Sequence, residues 1–304
     1  MFRSMMPIPT TVRDALAAAG RRLAVAGVDS PGLSARLLLG EVLGLDDLGL
    51  VLAAHRELSD PEVAAFHALL DRRAAGEPAA YILGRREFYG LDFAVTPATL
   101  VPRPESEHLI EEALTHFSDT ETELRFADLG TGSGCLAVSF AVHRPGAVGV
   151  AVDRSAMALM TARQNARTHG VAGRVLFAQC DFGALCVQDA SVDLVLANPP
   201  YVSASEHETL SREVRDYEPR TALVPSEGGG GSGLEALVSL LPESRRVLKV
   251  GGLLACEIGW EQGQRGLELV RATRLQGGRR FESSRIIQDL AGRDRVLVAV
   301  AGCE

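Results

Sequence analysis

Asn198, Pro199, Pro200 and Tyr201 follow the apolar run 194–197 and end it abruptly. Two adjacent prolines remove two backbone donors, and each holds the residue before it extended. The stretch therefore predicts a strand that stops in a rigid corner rich in acceptors, with an amide oxygen on Asn198 and an aromatic ring on Tyr201. Such a corner suits an NH2 group attached to a planar system, because two acceptors can hold its two hydrogens between flat walls. Alkylating an amide or aniline-like nitrogen needs that arrangement, since its lone pair is delocalised. Hydrogen bonds from both N–H groups to Asn198 Oδ1 and the Pro199 carbonyl would favour a pyramidal, partly positive nitrogen and aim its lone pair at an electrophilic methyl. The effects are positioning and electrostatic preorganisation. No general base is required, because the alkylated nitrogen is acidic and sheds its proton afterwards. Read alone, the corner can equally be a turn that terminates a strand.

Its neighbours in the sequence weigh against that plainer reading. "FADLGTGSGCLAV" holds an apolar run ending at Asp128, then Gly130, Thr131, Gly132, Ser133 and Gly134, then the start of a helix. Alternate glycines let the backbone turn tightly and approach a ligand. The spacing is Gly-x-Gly-x-Gly, which departs from the Gly-x-Gly-x-x-Gly that cradles a dinucleotide pyrophosphate. Asp153 ends the next strand-like run, "AVGVAVD", where an acid can accept hydrogen bonds from both hydroxyls of a ribose. Asp181 and Phe182 end a third, "RVLFAQCD", where an acid can accept an adenine amino group and an aromatic can cover its face. Taken singly, that pair is also consistent with a helix cap and a core phenylalanine. All of these residues map to the carboxyl ends of strands, where open parallel sheets bind ligands. Together they form a nucleoside site with the Asn198 corner on its rim.

The elements that must hold these residues can be read from pattern. From about residue 124 apolar strands and amphipathic helices alternate, which predicts a three-layer α/β domain with a mainly parallel sheet. Residues 1–84 carry helical periodicity instead. Val12, Leu16, Ala19 and Leu23 share one face, with Thr10 or Thr11 as a cap. Ser30-Pro31 opens a second helix that ends at Gly44, and Ser59 or Asp60, Pro61 and Glu62 open a third that ends at Gly76. A small helical bundle follows, serving either packing or the docking of a partner. Phe88, Tyr89 and Phe93 beside Gly84 and Gly90 predict a β-hairpin, and Pro97, Pro102 and Pro104 lead to a helix beginning near Glu105. The expected division is 1–84 helical, 85–110 hairpin and linker, and 111–304 α/β. Gly251-Gly252 reads as a turn, and the Gly228–Gly231 tract as a flexible loop or a helix entry.

Composition narrows the function classes. The chain has 304 residues, 46% of them hydrophobic, and a formal net charge of −8, with a pI near 5.5. Thirty of its 31 basic residues are arginine and one is lysine, Lys249, and they form no long run. A protein gripping nucleic-acid backbone is expected to carry a basic stripe, so direct nucleic-acid binding is disfavoured. No apolar run reaches the roughly 18 residues of a membrane span, and the start of the chain does not read as a secretory signal. Five cysteines (135, 180, 186, 256 and 303) match no zinc spacing and suit reduced thiols in a cytoplasmic protein. No metal site is expected.

"DLGTGSG", "NPPY", "REFYG", "VPRPESE", "VRDYEPR", "EIGW" with a following "QG", and "DLAGRDRV" together resemble the bacterial release-factor glutamine methyltransferases, the HemK/PrmC family, over about residues 78–300. "NPPY" alone is shared with methyltransferases of adenine and guanine amino groups. The resemblance implies a seven-stranded, Rossmann-like class I methyltransferase domain preceded by a helical substrate-engaging domain. The donor would be S-adenosyl-L-methionine, leaving S-adenosyl-L-homocysteine. The substrate would be the glutamine of the Gly-Gly-Gln motif in class 1 peptide chain release factors, methylated on its side-chain nitrogen; separately from the resemblance, a monomer is expected. By the same resemblance Gly130 to Gly134 bend around the methionine part of the cofactor, with Asp128 on the same side. Asp153 holds the ribose, and Asp181 and Phe182 meet the adenine. Asn198, Pro199, Pro200 and Tyr201 hold the glutamine beside the cofactor, with Asn198, Pro199 and Tyr201 carrying the catalysis. Arg103 and Glu105 shape the wall. Leu100 stands where some relatives have phenylalanine. Alternative readings are methylation of a ribosomal-protein glutamine, methylation of an exocyclic amino group of DNA or RNA, and a cofactor-binding assembly factor without activity.

Overall fold

The computed structural model describes residues 11–119, 122–225 and 231–303. The Thr10 cap and the Gly228–Gly230 part of the glycine tract lie outside the described residues. In chain order the elements begin with α1 (Val12–Val25), α2 (Pro31–Leu43), α3 (Asp47–Leu52), α4 (Asp60–Ala74) and α5 (Ala79–Leu83), then β1 (Arg85–Phe88), β2 (Leu91–Ala94) and α6 (Glu107–His116). They continue with β3 (Leu124–Leu129), α7 (Cys135–His143), β4 (Ala147–Asp153), α8 (Ala156–Thr168), β5 (Val175–Gln179) and β6 (Val192–Ala197). The remainder are α9 (Ala204–His207), α10 (Arg212–Tyr217), α11 (Arg220–Leu223), α12 (Glu235–Val247), β7 (Leu248–Glu257), α13 (Gly263–Ala272), β8 (Phe281–Gln288) and β9 (Asp294–Ala301). They pack as two units, one up to Gly84 joined by Ser211–Tyr217, the other Arg85–Leu210 with the chain from Glu218 onward.

The first unit is the helical one. Thr11 caps α1 by accepting from the Asp14 N–H at 3.2 Å, and Glu62 closes a capping box on the Ser59 N–H at 2.9 Å ahead of α4. Ser30 makes no such cap; it sits in a left-handed conformation and leaves Pro31 to start α2. Val12, Ala19 and Leu23 of α1 pack on Leu38 and Leu39 of α2 and on Phe66 and Leu70 of α4, while Leu16 lies half-buried at the edge of that core. The sequence pattern left 211–217 in the α/β segment, yet α10 belongs here. Buried Arg73 pairs with Glu213 at 2.6 Å, and the Tyr217 hydroxyl donates to the Ala75 carbonyl at 3.2 Å. A six-residue helix has too few apolar positions to announce its packing partner by periodicity.

The second unit is built on a seven-stranded sheet of order β5-β4-β3-β6-β7-β9-β8. Strands β3 to β7 run parallel, and β9 enters antiparallel between β7 and β8. Successive residues along β6 alternate between two cores. Leu194 and Leu196 face one containing Ile110 and Phe140; Val195 and Ala197 face another containing Leu237 and Leu240. Helices covering both faces make the strands continuously apolar, as parallel sheets require. The β1–β2 hairpin drives Phe88 and Phe93 fully into the first of these cores, so residues 85–110 pack as part of this unit rather than as a separate linker. The helix expected near Glu105 starts with a 3-10 turn at Pro104–Ser106 and becomes α6 at Glu107. Gly251-Gly252 lies within β7, where the pairing with β6 slips between Val192 and Leu194. Strand β8, FESSRIIQ, went unread because too few of its residues are apolar.

Register places the site. β3 leads to β4 and β5 on one side, while β6 and β7 lie on the other, so β3 and β6 flank the switch point where open α/β sheets bind ligands. Leu129 pairs with both Val152 and Ala197, and Ala197 also pairs with Cys256. The glycine loop, Asp153, Asn198 and Glu257 are the next residues on four adjacent strands. They leave the sheet side by side.

Candidate active site

A cavity of about 220 Å³ opens over these strand ends, lined among others by Gly130 to Ser133, Asp153, Asp181, Phe182, Asn198 and Pro200. That is far more than the roughly 10–15 Å³ that one water requires, so the space fits an organic ligand. The glycine loop borders it with positive φ at Gly130, Gly132 and Gly134 (77°, 55° and 82°). A Cβ on Gly130 would come within 4.0 Å of the Asn198 carbonyl and narrow the gap between loop and corner.

Asp153 and Asp181 present carboxylates already fixed by backbone. Asp153 accepts from Gly132 N–H at 2.9 Å and from Ser155 N–H at 2.8 Å, which leaves one lone pair on each oxygen for a pair of hydroxyls. Asp181 Oδ1 accepts from Gly183 N–H at 2.8 Å. Asp128 sits fully buried beneath the loop. Burial pushes its carboxyl up to about 7, against hydrogen bonds from Thr131 and Ala137 and with the Asp153 charge adding to the rise. Its Oδ2 takes the Thr131 hydroxyl at 2.6 Å and the Ala137 N–H at 3.2 Å, while Oδ1 has no partner. A buried carboxylate oxygen without a donor is uncommon and suits a cationic or N–H group of a ligand. A glycine-bordered channel, an unpaired acid, a ribose-type acid and an acid–aromatic pair at the next strand end fit S-adenosylmethionine, which offers an ammonium, a ribose diol and an adenine. Asn165, 1% exposed, braces the loop by donating to the Ser133 and Ala94 carbonyls and accepting from Ala94 N–H. Nothing in its local sequence distinguished it from a surface asparagine of α8.

The Asn198 corner is held differently. Asn198 Nδ2 donates to Ser106 Oγ at 3.1 Å, Ser106 donates to Glu257 Oε2 at 2.5 Å, and the Tyr201 hydroxyl donates to Glu257 Oε1 at 3.1 Å. The Tyr201 carbonyl accepts from Gln262 Nε2 at 3.0 Å, and Gly233 passes so close that a Cβ would stand 2.3 Å from that carbonyl oxygen. Glu257 is 1% exposed. Burial raises its pKa, with Glu105 adding to the rise, while the Ser106 and Tyr201 hydrogen bonds and Arg295 oppose it. Burial, reinforced by the Glu257 charge, likewise raises Tyr201. Arg103 borders the cavity and pairs with the buried Glu218 at 2.5 Å, whose other oxygen takes Val101 N–H at 3.1 Å.

The structure thus gathers most of the residues singled out from sequence around one cavity, but not all in the same sense. Leu100, Arg103, Asn198 and Pro200 line it; Asp128 and Gly134, beneath and at the end of the glycine loop, do not, nor do Pro199 and Tyr201, and Tyr201 turns its hydroxyl onto Glu257. Glu105 does not line it either, whereas Ser106, one position on, does. Trp260 stands 57% exposed and away from the cavity. Ser106, Glu218, Glu257 and Gln262 were not singled out, although each lies in a quoted motif. Glu257 even repeats the signal that marked Asp153, an acid ending an apolar strand. Among the described residues no cluster of three or more His, Cys, Asp or Glu could hold a metal ion. None of their helices is long and apolar enough to cross a membrane.

Comparison with known proteins agrees with this geometry. Residues 14–84 match the family model described as the PrmC N-terminal domain, and residues 109–215 match the methyltransferase small domain. The catalytic domain of hMettl16, solved in complex with a 3′UTR hairpin, superposes with a TM-score of 0.52 at 17% identity, over 81% of this chain and 84% of that one; at that identity it shows the methyltransferase fold alone. The release factor glutamine methyltransferase of Nitratidesulfovibrio vulgaris is 44% identical over 95% of each chain. That of Moorella thermoacetica is 42% identical over 95% of this chain and 98% of its own. A switch-point cavity on a methyltransferase fold, with an asparagine corner at its rim, and such identity over nearly the whole length lead to one conclusion: the chain belongs to the release factor glutamine methyltransferase family.

Proposed function

We propose that this chain methylates the side-chain amide nitrogen of the glutamine in the Gly-Gly-Gln motif of class 1 peptide chain release factors, using S-adenosylmethionine. The observation that carries the reading is the orientation of Asn198. Its Nδ2 is spent on Ser106, so its Oδ1 is the end left to receive a substrate N–H at the rim of the cavity. Asp128, the loop Gly130, Thr131, Gly132, Ser133 and Gly134, and the acids Asp153 and Asp181 with Phe182 hold the cofactor. When bound there, it supplies a methyl group on a sulfonium, activated toward a weak nucleophile.

The chain's part is positional. Asn198 Oδ1 at the cavity's rim and the Pro199 carbonyl, just outside its lining, accept the two hydrogens of the glutamine NH2, which localises its lone pair and aims it at the methyl carbon. Pro200 has no N–H, so no donor one residue on competes for those acceptors. Pro200 and Arg103 bound the substrate's place, Tyr201 acts by anchoring the corner, and Glu105 contributes charge from behind the wall. The preorganised acceptors do not reorganise as positive charge grows on the nitrogen. After transfer the nitrogen loses a proton to water, leaving a neutral N-methylamide and S-adenosyl-L-homocysteine. The helical unit engages the release factor; the chain works as a cytoplasmic monomer without direct contact to nucleic acid. Incubation with methyl-labelled cofactor and a release factor should label the protein substrate, and replacing the Gly-Gly-Gln glutamine should abolish the label. Equal labelling of both substrates would overturn the assignment.

A further inference from the structure

An asparagine amide is nearly symmetrical in shape, so the corner needs something to decide which end meets the substrate. Ser106 Oγ, 3.1 Å from Asn198 Nδ2, cannot decide alone, because a hydroxyl both donates and accepts. It is Glu257 that breaks the symmetry. An ionised carboxylate only accepts, so at 2.5 Å it accepts the hydrogen bond of the Ser106 hydroxyl, and Ser106 is left able only to accept toward Asn198. Asn198 must then offer its NH2 to Ser106 and its oxygen to the other side. The second oxygen of the same carboxylate takes the Tyr201 hydroxyl, so one side chain at the end of β7 governs both ends of the four-residue corner. Ser106 is 2% exposed and Glu257 1%, so water does not offer the alternative partners that would let the chain of donors relax. Burial raises the Glu257 pKa and the Glu105 charge adds to the rise, while the two hydrogen bonds that the carboxylate accepts and Arg295 of β9, itself paired with Asp289 at 3.0 Å, favour its charged form.

We propose that Glu257 is a positioning residue whose carboxylate, through Ser106 and Tyr201, sets the donor-to-acceptor direction at Asn198 and so turns Oδ1 toward the substrate nitrogen. The inference rests on the reading of Asn198 as the substrate clamp. Polarity, rather than bulk, is the property at stake, and E257Q changes polarity while keeping shape. Its NH2 can donate to Ser106, which frees the hydroxyl proton for Asn198 Oδ1 and reverses the amide.

The test measures kcat at saturating cofactor and release factor, and cofactor Kd by calorimetry, for the parent chain and for E257Q, S106A, N198D and E257Q/N198D. E257Q is expected to lower kcat by up to about 100-fold, the scale of loss when a reacting group is misplaced, with cofactor Kd within about twofold. N198D places an acceptor against a hydroxyl whose proton is already committed, so it should lose at least as much. E257Q in that background should restore part of the loss, because the reversed relay can donate to the new carboxylate. A role in packing alone predicts no such rescue. Parental kcat in E257Q, or E257Q/N198D falling to the product of the two single losses, overturns the proposal. If E257Q does not fold, S106A decides. Lowered kcat with unchanged cofactor Kd upholds the relay, and parental kcat overturns it. A parent chain that fails to label the glutamine removes the functional reading beneath the relay; a parent that labels it beside a fully active E257Q removes the relay alone.

Discussion

The two halves of the cavity are built by different means. On the cofactor side the fixing contacts are mostly local and made by backbone: Asp153 is held by Gly132 and Ser155, and Asp181 by Gly183. On the substrate side they are long-range and made by side chains. Asn198 reaches 92 positions back to Ser106, Ser106 reaches 151 positions forward to Glu257, and Arg103 meets Glu218 across 115. Backbone contacts survive most changes of side chain, so the cofactor half should tolerate substitution around it. A network of buried side chains fails as a unit when one member is lost. The contrast teaches where specificity can be lost without loss of the cofactor.

The sharpest way to break this comparison is Asn198→Ala. Removing the acceptor should lower kcat by about 10²–10³, the cost of deleting one preorganised polar group aimed at developing charge, while calorimetry finds cofactor affinity almost unchanged. A parallel loss of cofactor affinity would make Asn198 a cofactor ligand and erase the division. Asp153→Ala should give the opposite pattern. Losing charge-assisted hydrogen bonds of about 1.5–3 kcal/mol weakens cofactor binding by roughly 10- to 150-fold, and most of kcat returns at saturation.

Asp128 offers a pH test confined to the cofactor half. Its folded pKa, about 7, lies above the ordinary carboxylate value of 3.8. Between those values the folded state therefore binds more protons than the unfolded state, so this group's contribution to stability falls as pH rises toward 7 and levels off beyond it. Asp128→Asn, which cannot ionise, should raise Tm relative to the parent more at pH 8 than at pH 5.5. An equal difference at both pH values would mean the carboxyl is not displaced. Smaller effects sharpen the substrate half. Glu218→Ala leaves Arg103 without its carboxylate partner and should cost about 1–3 kcal/mol, read as a lower unfolding midpoint in urea together with a raised KM for the release factor. Trp260→Ala, at an exposed position outside the cavity, should change kcat and stability by less than about twofold and 0.5 kcal/mol.

The same contrast explains what could be read without the fold. Glycine spacing, acids that end apolar strands, and the Asn198 corner are local patterns, and each declares its geometry within a few residues. So do the capping box at Ser59 and the hairpin around Tyr89-Gly90. Glu257 carried a local signal too, an acid at the end of "LLACE", but that signal does not say whether the acid faces a ligand or a neighbouring loop. Ser106 and Glu218 carried no usable signal, because a serine between two glutamates and a glutamate before a proline are ordinary residues until their partners are known. Glu105, expected at the wall, is displaced by one position because the 3-10 turn at Pro104–Ser106 rotates the next residue, Ser106, toward the cavity instead.

By itself the sequence determined the alternation of strands and helices, the strand ends that carry chemistry, and the family to which those motifs point. Short-range sterics and apolar periodicity decide these, and both act within one element. Tertiary structure alone decided that Ala197 pairs with Cys256, which sets Glu257 beside Asn198, and that Ser106 enters between them. It also decided that residues 211–217 pack with the helical unit. Such choices depend on which strands become neighbours, and that order is settled by the whole sheet burying both of its faces at once, not by any stretch of chain within it.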